Sequence, residues 1–418
     1  MAKDRRLKVL VSAYTCSPYR GSEFAVGWGF VQAMAKRHDL WVIVEEEKCR
    51  ADIERYLNEH PKALPNVRFF FLRKQRNRRL RRLWPPSYYW YYRRWHSQAF
   101  ELAKKLHEEV CFDLAHQLTM VGFREPGYLW RMEIPFVWGP VGGMGRFPWR
   151  FLPEVGRYGA LYYLGYNLYN LAQMRFMRRP RLAARRAGNE GLLPATSENR
   201  EGAMCHWGVA GQVMPEVGLP RKPVEVVNAR APDEPLRIIW TGLHIPRKAL
   251  PLGLRALARL PRAIPWELHV LGKGPRTTAW KRLASRLGIQ DRCRFHGWRE
   301  REAVLSLMAQ GHLLLITSLR DLTSTVTVEA LALGLPIVCL DHCGFAEVVN
   351  EDCGIKVPVT SLREVVSGIA RALETLADDE PYRRRLAEGA LVRAHDYDWD
   401  AKARVLEAVY RAKAGVDR

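Results

Sequence analysis

His312-Leu-Leu-Leu-Ile-Thr-Ser318 leads into Leu-Arg-Asp321-Leu-Thr-Ser-Thr-Val-Thr-Val-Glu329, and then into Ala-Leu-Ala-Leu-Gly334-Leu-Pro336-Ile-Val-Cys-Leu-Asp341. An apolar strand enters a polar turn, a short apolar segment follows, Gly334 and Pro336 stop it, and a second strand leaves. A helix starting near Ser324 points its first N–H groups and its positive dipole end at the turn, which makes an anion site. Asp321 and Glu329 are the only acids between His312 and Leu340, with seven residues intervening. Glu329, about a turn and a half into such a helix, leans back toward the same end. Amides for a diphosphate, with carboxylates for sugar and ribose hydroxyls, are what a sugar nucleotide needs. A plainer reading stands beside this one. Thr325-Val-Thr-Val328 alternates and is β-branched, as a strand would be, and Asp321, Thr323 and Ser324 are ordinary N-cap residues at any βα turn.

Outward from this segment, the chain alternates strand and helix in two halves. Residues 7–14 read as a first apolar strand, 25–35 as a helix and 40–45 as a second strand, with further strands near 67–72, 112–116 and 135–138. A second series starts near Leu236 and continues to about 375, and Trp399 to Lys413 reads as a closing helix. Pro215-Glu-Val-Gly-Leu-Pro220 and Ala231-Pro-Asp-Glu-Pro235 mark a Pro-rich connection between the halves. The expected domains are 1–218, 236–395 and a returning helix over 396–418. At 418 residues the chain is too long for one ordinary core. Its eight cysteines form no CxxC pair, which favours free thiols over a disulfide framework. Cys339, His342, Cys343 and Cys353 read as packing beside a strand rather than as a metal cluster. No stretch reaches the ~18 apolar residues of a membrane span, and the N-terminus lacks a long apolar signal core. The expected location is cytoplasmic, with peripheral contact to the cytoplasmic membrane face.

Several motifs resemble one family, the retaining family-4 glycosyltransferases. Asp321-x7-Glu329-Ala-Leu-Ala-Leu-Gly-Leu-Pro-Ile-Val338 resembles its acidic-x7-acidic signature. Ile238-Ile-Trp-Thr-Gly242-Leu-His-Ile-Pro-Arg247-Lys248-Ala resembles its strand, Gly-Arg turn and Arg-Lys-Gly segment. Trp266-Glu-Leu-His-Val-Leu-Gly272-Lys-Gly274-Pro275 and Arg294-Phe-His-Gly297-Trp298 resemble its nucleoside-side strands and loops. Val9 to Trp28, with Gly21 and Glu23, resembles the first strand and glycine-bearing loop of one subgroup, and Asp113-Leu-Ala-His116 and Val137-Trp-Gly-Pro-Val-Gly-Gly143 complete the set. Cover is weak over about 70–100 and 150–190.

The resemblance implies the GT-B architecture: α/β, two facing Rossmann-like doubly wound domains, with the last helix crossing back to the first. It implies transfer of a hexosyl group from a nucleotide diphosphate sugar, with retention, to a glycan or lipid-linked acceptor in cell-envelope polysaccharide synthesis. His116 would bond the sugar near the anomeric carbon, Lys248 with Arg247 would neutralise the diphosphate, and Asp321 would bind sugar hydroxyls. Gly21, Gly272 and Trp298, the amides of Leu322, Thr323, Ser324 and Thr325, and Glu329 on the ribose would complete the donor site. No cofactor or metal is implied, the nucleotide sugar being the donor substrate. Plainer roles stand beside these: a surface turn for Arg247 and Lys248, and a satisfied strand-end histidine at 116. The usual first Glu is Asp321, the following Gly-Phe is Leu322-Thr323, and the usual Arg after the turn glycine is Leu243. A GT-B-fold protein that binds nucleotide, anionic lipid or a partner without turnover is therefore the alternative reading.

The formal charge of +22 is unevenly spread: residues 1–234 hold 38 Lys and Arg against 23 acids. Arg73–Arg94 carries nine basic residues and Arg175–Arg186 six, neither with an acid. The first runs through Trp84-Pro-Pro-Ser-Tyr88-Tyr-Trp-Tyr-Tyr92, and the second follows Tyr158, Tyr162, Tyr163, Tyr166 and Tyr169. Rings among cations suit a membrane interface on the cytoplasmic side, where each Lys or Arg adds about 1 kcal/mol on anionic lipid. A solvated basic face is the plain reading. Nucleic-acid binding uses the same composition, but no recognised nucleic-acid motif accompanies it.

Overall fold

The computed structural model describes residues 5–75, 79, 82, 84, 87–219 and 222–416. The chain divides into two compact units, Met1–Met144 with Leu171–Gly218 and Trp399–Arg418, and Gly145–Asn170 with Leu219–Asp398.

The first unit runs β1 (Lys8–Ala13), α1 (Glu23–Ala35), β2 (Asp39–Glu45), α2 (Glu46–Glu59), β3 (Val67–Leu72), α3 (Ser87–Val110), β4 (Leu114–Thr119) and β5 (Phe136–Val141). The division of the chain falls within α4 (Gly156–Phe176), after which come α5 (Arg178–Gly191), β6 (Leu192–Pro194) and α6 (Ser197–Trp207). The strands pair in parallel in the order β3-β2-β1-β4-β5-β6. β1, β4 and β5 are buried almost throughout, because a parallel sheet is covered on both faces.

The second unit runs β7 (Leu236–Thr241), α7 (Leu250–Leu257), β8 (Trp266–Leu271), α8 (Thr277–Arg286), β9 (Cys293–Gly297), α9 (Arg301–Ala309), β10 (Leu313–Ile316), α10 (Thr325–Ala332), β11 (Ile337–Leu340), α11 (Phe345–Val348), β12 (Gly354–Val357), α12 (Leu362–Asp378) and α13 (Glu380–Ala394). Its parallel sheet is ordered β12-β11-β10-β7-β8-β9. Counted from its own first strand, that is the same doubly wound order as in the first unit. In such a sheet the order reverses between the first and fourth strands, and ligands sit in the crevice outside their carboxyl ends. In the second unit those strands are β7 and β10. The loops that leave them carry Arg247, Lys248 and Asp321.

The last helix, α14 (Trp399–Ala414), belongs to the first unit, where it packs on α1. The Trp399 ring fills the space a Cβ would need at Gly29 and at Gly218, so α1 approaches α14 closely only because position 29 has no side chain.

The described division differs from the expected one at residues 145–170. Phe147, Phe151, Val155 and Tyr163 join the core of Leu236, Ile238, Trp240 and Leu250. Glu154 pairs with Arg255, and Arg276 donates to the Val155 carbonyl at 2.9 Å. These contacts tie the segment to the second unit. The stretch Thr325–Val328, ambiguous as sequence, is helical. Thr327 donates its hydroxyl to the Thr323 carbonyl at 3.0 Å, and Gly334 ends the helix with φ of 64° before Pro336 opens the next strand.

Among the described residues no helix is long and apolar enough to cross a membrane, and no group of three or more His, Cys, Asp or Glu is arranged to hold a metal ion. Among the described residues, none of the eight cysteines forms a disulfide.

Candidate functional site

β7 ends at Thr241, and the chain turns through Gly242 and Leu243 into a single 3-10 turn, Pro246–Lys248. Pro246 starts that turn with its fixed φ, and the backbone then places Lys248 back over Gly242, with its side-chain carbons 3.4 Å from where a Cβ would stand. The Lys248 carbonyl accepts the Thr317 hydroxyl at 2.8 Å, which locks this loop to the end of β10. The Lys248 ammonium donates to Asp321 Oδ2 at 2.5 Å. Arg247 lies 3.2 Å from Asp321 Oδ1 and donates to the Arg320 carbonyl at 2.7 Å. Leu322 N–H donates to the same Oδ1 at 3.1 Å.

Burial alone would raise the Asp321 carboxyl. The Lys248 and Arg247 charges outweigh that, and with the Leu322 N–H they hold it below the ordinary carboxylate value. Asp321 is therefore an anion at neutral pH, and both its oxygens are engaged. Two non-glycine residues with positive φ flank this pair: Ala249 at 45°, directly after Lys248, and Ser324 at 68°, directly before α10. Such backbone costs about 1–3 kcal/mol each and gathers at functional sites. Ser324 is the N-cap without a side-chain cap bond, so its hydroxyl does not take up the first N–H groups of the helix.

Two supports of this loop had no signal in the sequence. Cys343 Sγ accepts the Asp321 N–H at 3.2 Å. Gly344 lets the neighbouring turn lie against Thr323, since a Cβ there would come within 2.5 Å of the Thr323 Cα and hydroxyl. Thr323 is consequently fully buried, while Leu322, Ser324 and Thr325 are partly exposed. Glu329 is 8% exposed and pairs with Arg301 at the start of α9, a partner that nothing in the spacing of the motif announced.

Gly272, expected in the donor site, has a backbone reason for its missing side chain. It ends β8 with φ of 115°, and a Cβ there would lie 2.0 Å from the Gly242 carbonyl oxygen. Its N–H donates to Gly297 at 2.8 Å and Gly242 N–H donates to Leu271 at 3.0 Å, so the ends of β7, β8 and β9 are laced through backbone at this level. Trp298, just past β9, is 56% exposed with the Lys273 ammonium 5.9 Å from its ring centre. Leu243 is 58% exposed, so the cations of this loop are Arg247 and Lys248.

Gly21 and His116 lie in the first unit. Gly21 has open space around it, with nothing within 4 Å of a built Cβ. His116 corrects the expectation of a ring nitrogen open to a sugar. It sits inside β4, 1% exposed, with Nδ1 2.6 Å from the Tyr410 hydroxyl and Nε2 2.8 Å from the Gly139 carbonyl. Burial pushes its pKa down to about 4. The arrangement fixes a neutral tautomer, Nε2–H donating to Gly139 and Tyr410 donating to Nδ1. Of the first basic segment, Arg76, Arg78 and Arg81 lie outside the described residues. In the second, Arg179 pairs with buried Glu125, and Arg186 donates to the carbonyls of Met132 and Ile134. Part of that segment is therefore internal bracing.

Residues 225–392, within the second unit, match the model of the family described as glycosyl transferases group 1. The chain is 29% identical over 157 residues, 37% of its length and 43% of the relative's, to a lipopolysaccharide core biosynthesis glycosyltransferase, LpsE, of Rhizobium meliloti. It is 28% identical over 156 residues, 37% of its length and 40% of the relative's, to the lipopolysaccharide glucosyltransferase WaaG of Escherichia coli. The matched region thus spans less than half of these curated relatives. Among solved structures, the lipopolysaccharide outer core galactosyltransferase WaaB superposes with a TM-score of 0.64 over 97% of this chain and 100% of its own, at 14% identity. The fold is GT-B, built from two Rossmann-like units.

Proposed function

We propose that this protein is a retaining glycosyltransferase that moves a hexosyl group from a nucleotide diphosphate sugar to a glycan or lipid-linked acceptor, in the building of a cell-envelope polysaccharide. The observation that carries the proposal is the Lys248–Asp321 contact of 2.5 Å at the reversal point of the second sheet, beside the N-terminus of α10. Breaking a glycosyl–phosphate bond places charge on the leaving diphosphate and leaves an oxocarbenium-like sugar. Lys248 and Arg247, held by their loop contacts, supply fixed positive charge for that diphosphate, and the first N–H groups of α10 add dipoles. Preorganised charge of this kind is the largest catalytic contribution available to such a reaction. Asp321 holds the ammonium in place and keeps acceptor capacity for sugar hydroxyls, and Glu329 takes the ribose diol. The relatives named above, which act in lipopolysaccharide synthesis by their descriptions, support the envelope setting and a lipid-carried acceptor.

Binding of purified protein to a panel of UDP-, GDP- and other nucleotide sugars tests the proposal, with Glu329→Ala alongside. One donor bound by the wild type and lost in the variant is the expected result. Failure to bind any donor would leave the fold without the activity.

A further inference from the structure

We infer that the first fifteen residues of α4, Gly156–Asn170, form a docking face for an anionic lipid bilayer. The inference rests on exposure and charge, and stands apart from the glycosyltransferase reading. One side of this helix is spoken for: Tyr163 stacks on Phe147 at 4.3 Å, Asn167 exchanges two hydrogen bonds with the Phe147 backbone, and Tyr166 lies 3.8 Å under the Arg320 guanidinium. The other side is apolar and open. Tyr158 is 93% exposed, Leu161 69%, Tyr162 63%, Leu168 56% and Tyr169 65%.

These positions recur at three- and four-residue intervals, which lines them along one stripe. With Leu164 they make six of the twenty large hydrophobics left exposed among the described residues. A helix apolar on both sides is a buried helix or a partnered one, and a contiguous exposed patch marks an interaction surface.

The chemistry of the stripe selects the partner. Tyrosine and leucine together suit the headgroup boundary, where rings keep a hydroxyl in water and an apolar body in the acyl region. The charges next to it in sequence are mostly basic, with Arg150 donating to the Thr360 carbonyl and lying near Glu364. Within residues 145–170 the basic residues are Arg146, Arg150 and Arg157, and the single acid, Glu154, is already paired with Arg255. Exposed Arg157 at the start of the helix, with exposed Arg146 and Arg150 before it, puts cations at the N-terminal end of the apolar stripe. These complement anionic headgroups, and an interfacial helix needs both terms to hold. The inner side of the same helix holds Arg320, next to Asp321, so a bilayer seated on the stripe has the donor loop directly behind its docking element.

Co-sedimentation of the full chain with phosphatidylcholine vesicles, with and without phosphatidylglycerol, tests this. Binding to the anionic vesicles is expected, with neutral ones taking up far less. The triple substitution Leu161→Ser, Tyr162→Ser and Leu168→Ser should lower the partition on the order of a hundredfold, and Arg157→Gln about fivefold. Val392→Ser, a hydrophobic 72% exposed on α13, should leave it unchanged. Equal partition of the triple variant and the wild type would overturn the assignment, as would an equal loss in the Val392 variant. A self-association that the triple variant abolishes, in a wild type that ignores vesicles, would give the stripe to a second copy and overturn it too.

Discussion

Asp321→Asn should bind a nucleoside diphosphate more tightly than the wild type while turning over a sugar nucleotide more slowly. Asp321 stands 2.5 Å from the Lys248 ammonium and 3.2 Å from Arg247, with only 17% of its side chain exposed. A diphosphate oxygen that reaches the same ammonium comes within about 5 Å of the carboxylate, and two unit charges at that distance repel by about 3 kcal/mol at an effective dielectric of ~20. The phosphate's own hydration and mobile ions reduce this, so the working figure is about 1 kcal/mol, a gain of five- to tenfold in affinity. The carboxyl is held below its ordinary value, so at pH 7 the wild type carries the full charge and the comparison is clean. Stability should move the other way, because Lys248, 9% exposed, loses its counterion; about 2–3 kcal/mol is expected from a half-removed buried pair. Calorimetric titration with UDP and GDP, each run with its sugar conjugate, reads the effect. The conjugate should gain less than the free diphosphate, since its sugar loses an acceptor. Lys248→Met should weaken both. Diphosphate affinity that is unchanged or lower in a folded Asp321→Asn protein would refute the assignment of Lys248 to the phosphate.

Gly272→Ala should cost about 3 kcal/mol or more in urea unfolding, because a methyl there meets the Gly242 carbonyl at 2.0 Å on backbone of φ 115°; wild-type stability in this variant would show that the strand ends are not laced as described. Tyr410→Phe should destabilise by about 1–3 kcal/mol through the unsatisfied His116 Nδ1, with donor affinity unchanged, and a loss of donor affinity at constant stability would return His116 to the site. Desolvation lowers His38, His116, His244 and His312 to about 4 and His96 to about 3, against an ordinary 6.5. The unfolded chain therefore takes up protons first, and stability should fall as pH drops from 6.5 toward 4, by up to about 1.4 kcal/mol per pH unit for each ring. A melting temperature that stays level between pH 7.5 and 5.5 would contradict this.

The parts of the fold legible in the sequence are those with a local cause. β3 was readable over 67–72 because β-forming residues run between turn signals, and α14 because its apolar positions recur at helical spacing. The place of Gly145–Asn170 was not readable, since what assigns it to the second unit is contact with residues some 90 or more positions away, Arg255 and Arg276 among them. The helix over Thr325–Ala332 was ambiguous for the same reason: β-branched residues favour a strand locally, and the burial of Val328, Ala330 and Leu331 overrides them. His116 shows the opposite failure, where a residue type matched a motif and its two ring nitrogens were already committed.

The hardest feature to read was the relation between Lys248 and Asp321. As sequence they look like two independent tools, one for a phosphate and one for a sugar. Seventy-three positions apart in the chain, they are joined by the one crossing the doubly wound order provides between the first and fourth strands, and there they neutralise each other. On the proposed function, a donor gains the ammonium only by sharing it with the carboxylate. That reading makes donor affinity depend on the exchange, and a motif that names the residues carries no information about its balance.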